Sequence, residues 1–333
     1  MQRKAVGAII ATRRGFLASI AAATVVGATR ESRAQDWPQK PVRVFVGFAP
    51  GGNSDLVARL IAQRLSERLG QPFVVENRAG ANGTLAAEAT ARAAGDGYTL
   101  FMAALPHLAI APAMGKLGYD PVKDFTPISN VGTNPFVLVV HPSFPAGTLK
   151  EFEDEVRRQP GKLPYASGGI GSLTHLSMAL YLRRAGLDMI HVPYKGGGPA
   201  STDVLAGHVK VYFSNLSAIA AQVQGGALRA LAISDNKRHA QLPDVPTMSE
   251  LGYRDFRTLT WNGLVAPAAT PKEIVERLAG EIALALKDDA IRQRLVSYGV
   301  DPLGDRPEEF AATIAADLAL WAEAVKVAGV AAQ

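Results

Sequence analysis

Four times in this chain a strand-like run breaks into glycines and small polar residues, and a helix-patterned segment follows at once. The four stretches are "VRVFVGFAPGGNSDLVARL", "PFVVENRAGANGTLAAEA", "LPYASGGIGSLTHLSMAL" and "IHVPYKGGGPASTDVL". A strand joined to a helix by so short a loop is the unit of a parallel sheet covered by helices. "YTLFMAA" (98–104), "PFVLVVHP" (135–142), "HVKVYFSN" and "LRALAIS" continue the strand series. "TLTWNGLVAPA" (258–268) reads as a returning strand. Three helix-patterned segments close the chain, and Thr270-Pro271 and Arg306-Pro307 read as helix starts with proline at the first helical position. The expected fold class is therefore α/β. The apolar restart near 135 and the return near 260 divide it into two lobes, each a parallel-rich sheet flanked by helices. Residues 35–135 with 260–333 form the first lobe, and 136–259 form the second, inserted in it.

The 333 residues are enough for two such units, and 48% are hydrophobic against 20% charged. The formal charge of +5 invites a nucleic-acid reading, but its distribution removes the invitation. Residues 1–34 hold six of the 35 Lys/Arg and one of the 30 acids, which leaves 29 of each beyond them. That leader, with "TRRGFLAS" ahead of an uncharged stretch and Ser32-Arg33-Ala34 at its end, reads as a twin-arginine export signal cleaved after Ala34. An uncleaved N-terminal helix is the other reading. The chain has no cysteine, which excludes disulfides, thiolate nucleophiles, cysteine-bound zinc and a lipid anchor on cysteine.

Each glycine loop ends at a helix N-terminus, where free N–H groups and the helix dipole favour an anion without any cationic side chain. In the first loop Gly51 and Gly52 allow close backbone approach, and Asn53, Ser54 and Asp55 are equally good as plain helix caps. Gly80, Asn82 and Gly83 occupy the second loop, and Ser167, Gly168, Gly171 and Ser172 the third, ahead of His175. Tyr194 and Lys195 open the fourth. Strand ends of an α/β fold share one side, so the four loops converge on an interlobe anion cleft. His175 has an ordinary alternative as a packed, hydrogen-bonded ring, and Lys195 as a solvated cation. No dinucleotide or triphosphate fingerprint, nucleophile elbow or zinc motif occurs, so no cofactor or metal is expected.

Taken together, "FAPGGNSDLVARLIAQRL", "GQPFVVENRAGANG", "GDGYTL", "YDPVKDFTPIS", "HVPYKGGGPASTDVLAG" and "LPDVPTMSELG" resemble the extracytoplasmic solute receptors of tripartite tricarboxylate transporters, the Bug-type receptors. The likeness runs from about Trp37 to Gly329. It implies a two-lobed periplasmic binding protein, monomeric and not an enzyme, that closes on a small carboxylate and hands it to membrane permease subunits. Carried onto this sequence, the resemblance gives the carboxylate site to Phe48, Ala49, Gly51, Gly52, Ser54 and Asp55 with Gly80, Asn82 and Gly83. It gives the opposite wall to Ser167, Gly168, Gly171, Ser172 and His175, with Tyr194, Lys195 and Asn215 further along. Two places depart from the pattern: Pro106 and His107 stand where small residues are frequent, and Ser214 where many relatives have Asp. Both are expected to face the distal part of the ligand, and Ser214 favours one without an ammonium group. The competing readings are an exported α/β hydrolase or lyase, and a ligand sensor for a membrane signalling protein.

Overall fold

The computed structural model describes residues 37–254 and 256–330, so the expected signal segment and its cleavage site lie outside the described residues. Strand β1 (Val42–Val46) alternates as its sequence demands: Val42, Val44 and Val46 are buried on one face, and Phe45 on the other. Helix α1 (Asn53–Leu69) buries Ser54, Val57, Ala58, Ile61, Ala62 and Leu65 as one stripe, and Gly70 ends it in the left-handed conformation. β2 (Phe73–Asn77), α2 (Thr84–Ala91) and β3 (Thr99–Ala104) follow, and both outer strands run parallel to β1. The chain then makes a π-type turn over Pro106–Ile110 and a short helix α3 (Ala111–Met114).

β4 (Phe125–Val140) is the connecting member of the fold. From Phe125 to Pro135 it pairs with a strand of the first half, and from Phe136 to Val140 with two strands of the second. The second half continues with α4 (Leu149–Arg158), β5 (Pro164–Ser167), α5 (Leu173–Ala185), β6 (Ile190–Pro193), α6 (Gly197–Leu205), β7 (Val211–Asn215), α7 (Leu216–Gln224) and β8 (Arg229–Ile233). β9 (Leu259–Pro267) returns to the first half, followed by α8 (Lys272–Ala285), α9 (Asp289–Ser297), β10 (Asp301–Pro302) and α10 (Pro307–Val327). The strand orders are β2-β1-β3-β9-β4 in one half and β8-β4-β7-β5-β6 in the other. Each half thus has three parallel strands, as the βα units require. The strands that carry the chain between halves run antiparallel, because they arrive from the opposite side.

Of the two proline starts, Arg306-Pro307 is placed as expected, whereas Pro271 caps α8 from just outside it. α8 packs on the first sheet, while α10 reaches further: it lies against the Pro106–Ile110 turn and also against α5 of the second half. Its Phe310 sits edge-on to Trp261, 5.1 Å between centroids, over a glycine of β9. That glycine is Gly263, where an added Cβ would fall 2.2 Å from the Phe310 ring.

Candidate functional site

Two adjoining chambers lie between the halves, at the strand ends that carry the glycine loops. One, about 290 Å³, is polar: Asn53, Ser54, Asn134, Asn215, Ser217, Thr260 and Asn262 line it, with Phe48, Ala104, Pro106, Leu173 and Ala218. The other, about 340 Å³, is walled by Phe48, Pro106, Ile110, Ala111, Met114, Ile170 and Leu173, with Gly168, Gly171 and Ser172. Among the described residues, no charged side chain lines either chamber.

The polar chamber is built from two helix starts. α1 begins after Gly52 and α7 after Asn215, and neither has a side-chain cap. The first-turn N–H groups of both are therefore left for water or a ligand. Around them, Ser54 Oγ donates to Asn262 Oδ1 at 2.5 Å and Asn262 Nδ2 donates to Asn53 Oδ1 at 2.7 Å. Across the chamber, Asn134 Nδ2 donates to Ser217 Oγ at 2.5 Å, which ties β4 to α7. An oxyanion placed here meets helix dipoles and neutral donors from both halves.

Six of the residues expected from sequence come together at these chambers: Phe48, Ser54, Gly168, Gly171, Ser172 and Asn215. Ala49, Gly51, Gly52 and Gly80 sit on the exposed turns beside them. The side chain of Asn82 lies outside the described part of the structure. Asp55 stands behind the first loop and holds it in shape. Its Oδ2 accepts the Gly51 N–H and Arg59 Nε, each at 2.9 Å, and its Oδ1 accepts Asn77 Nδ2 at 2.8 Å. Burial would raise the Asp55 pKa, but those hydrogen bonds from Arg59, Gly51 and Asn77 outweigh it and hold the carboxyl below its usual range.

His107 is fully buried and lines neither chamber. Its ring packs against Phe48 and Phe101, with centroids 4.8 and 5.1 Å away, and Nδ1 accepts the Ala104 N–H at 3.0 Å. The proton therefore sits on Nε2, which presses on Gly83: a Cβ there would stand 2.1 Å away. Burial pushes the His107 pKa down to about 3, so the ring is neutral. It supports the loops from below instead of facing the cleft. Pro106 does reach both chambers, and Ser214 is buried away from them.

The third loop is closed on itself. Ser167 Oγ contacts His191 Nε2 at 2.6 Å, and His175 stacks on His191 at 3.8 Å and 3°. Burial first, and the neighbouring His191 second, bring the His175 pKa down to about 4. His175 lines a separate cavity behind the loop, beside the end of α10. Tyr194 donates its hydroxyl to Asp203, while its N–H donates to the Ser167 carbonyl, and Lys195 is exposed. Tyr194 therefore braces the loop from the far side, and neither residue lines the chambers.

Sequence reasoning did not bring in Asn53, Asn134, Thr260 and Asn262 as lining residues, nor the wall of Ile110, Met114, Ile170 and Leu173. Thr260 and Asn262 carried a signal: polar residues at alternate positions of an otherwise apolar strand. Of the wall, a π-type turn and the short helix after it bring in Ile110 and Met114, which carried no signal, while Ile170 and Leu173 come with the third glycine loop.

The model of the tripartite tricarboxylate transporter family receptor matches residues 57–330. The chain is 36% identical to the protein BugT of Bordetella pertussis, over 89% of this chain and 91% of that one. A solved R. palustris protein with adipate is 35% identical, with a TM-score of 0.73 over 89% of this chain and 99% of that one. MatC of Rhodopseudomonas palustris, solved with bound malate, is 35% identical, with a TM-score of 0.69 over 87% and 100%. With this sequence match and this two-sheet periplasmic-binding-protein fold, the chain belongs to the tripartite tricarboxylate transporter receptor family.

Proposed function

We propose that this protein is an extracytoplasmic receptor that captures a small carboxylate between two lobes and delivers it, unchanged, to the permease subunits of a tripartite transporter. The observation that carries the reading is the convergence of two uncapped helix N-termini, α1 and α7, on one chamber from opposite halves. A ligand carboxylate there draws both halves together, and the closed form is what a membrane partner can recognise. The adipate and malate held by relatives support the ligand class. The exchange of strand partners between Pro135 and Phe136, and the return at Leu259, support the lobe division at 135/136 and 259/260. Export through the leader, and action as a monomer, belong to the same proposal.

The test is calorimetry on protein refolded to strip co-purified ligand. One carboxylate should bind per chain and be recovered unchanged; turnover would point to the hydrolase or lyase reading. Gly52→Val probes the first loop cleanly, since Gly52 has an ordinary φ of −74° and an added Cβ meets only the Ala49 carbonyl at 3.5 Å. The variant should fold and lose binding. Normal binding would remove that loop from the site.

A further inference from the structure

We infer that the preferred ligand carries one carboxylate and an unsubstituted apolar tail, alkyl or aromatic, with the tail seated in the apolar chamber. This rests on the receptor reading and deepens it. The polar chamber has open donors for one carboxylate. A second carboxylate would have to be met by the loop over Ser167–Ser172, and four of that loop's N–H groups are already engaged. The Gly168 N–H donates to Thr174 Oγ1 at 2.7 Å and the Gly169 N–H to Ser167 Oγ at 3.1 Å. The Gly171 N–H donates to His175 Nδ1 at 3.1 Å, and the Ser172 N–H to the Gly169 carbonyl at 3.1 Å. Ser172 Oγ donates to that same carbonyl at 2.7 Å while capping α5 by accepting the His175 N–H.

Most of what remains on that side is hydrocarbon. Ile110, Met114, Ile170 and Leu173 face the chamber with Pro106. Ile170 is 67% exposed, an aliphatic side chain that gains by being covered. Met114 and Gly171 meet from opposite halves, since a Cβ on Gly171 would stand 2.9 Å from Met114 Cε. A second carboxylate moved here from water would find no cation among the lining residues and most of the loop's N–H groups already engaged. An apolar tail loses nothing and covers the wall.

Hexanoate and adipate differ only in the second carboxylate, so they are the deciding pair. By calorimetry on the refolded protein, hexanoate should bind at least about ten-fold more tightly than adipate. The series from butanoate to hexanoate should gain about four-fold per methylene. Half-buried Met114, replaced by arginine (Met114→Arg), should weaken hexanoate and bring adipate level with it or ahead. Adipate or citrate binding tighter than hexanoate to the parent, or a flat chain-length series, would overturn the inference and leave the receptor reading standing. Binding of no carboxylate, or of hexanamide as tightly as hexanoate, would overturn both. The ligand series on the parent decides the question even where the variant does not fold.

Discussion

Single residues around the first loop divide into those that touch the chamber and those that hold it. Asp55 belongs to the second group, with three hydrogen-bond donors converging on a buried carboxylate. Asp55→Ala should lower stability by about 1–3 kcal/mol, since it removes the acceptor of the Gly51 N–H and one of the two acceptors of the Asn77 amide. It should also weaken ligand binding, and parallel denaturation and titration experiments would separate the two effects. Gly83 is held more tightly still, with a φ of +87° and the His107 ring where a Cβ would go. Gly83→Ala should therefore lower Tm more than Gly52→Val, although only the second residue is exposed beside the cleft. Ligand-independent thermal unfolding checks that order. From sequence, both looked like members of equivalent glycine loops, because a glycine needed for packing reads the same as one needed for approach.

At the scale of elements, the fold was legible wherever one period ran unbroken. β1, α1 and the three βα units that follow the same pattern have strands and helices close to where periodicity puts them. The first two-thirds of β4 were not legible. Pro127, Ser129, Asn130, Gly132, Thr133 and Asn134 have the composition of a loop, yet they form a strand with two bulges against β9. Tertiary pairing on a central position overrides local preference there. α7 was missed for another reason: "LSAIAAQVQ" lacks a charged face that would mark it against the strands around it. α10 read as a helix, but nothing in its sequence says that it spans both halves. Gly263→Ala tests how firmly it is seated. The added methyl would collide with Phe310 and should cost about 1–3 kcal/mol. Double substitution with Phe310→Leu should recover part of the loss, measured as a coupling energy.

For the whole molecule, the buried histidines set the acid limit. Burial depresses the pKa of His107 to about 3, of His175 to about 4, and lowers that of His191. In the unfolded chain such rings take up protons as the pH falls through about 6.5, while the folded ones stay neutral. Their contribution is thus fully present above that value and is lost from pH 6.5 downward. Asp317, raised to about 6 by burial despite the hydrogen bond from Trp261, works in the opposite direction between its unfolded value and 6. More rings than carboxyls are involved, so stability should fall by roughly 1–3 kcal/mol between pH 7.5 and 5. Chemical denaturation at the two pH values would show it, and His107→Gln should flatten the slope. A saturating ligand at ~100 times its Kd should add about 2.7 kcal/mol at any pH where the chain is folded.

Among the described residues no charged side chain lines the two chambers, and this bears on how binding responds to acidity. In the proposed extracytoplasmic setting acidity follows the medium, and a histidine clamp would pass those fluctuations on to the grip. Helix ends and amides do not titrate, so of the effects of acidity the ligand's own ionisation is the one that remains near neutral pH. Affinity should hold constant from about pH 6 to 9 and fall only as the ligand's carboxyl, near a pKa of about 4–5, takes up its proton. Occupancy should then follow the concentration of the ionised ligand, with little dependence on ambient acidity near neutral pH.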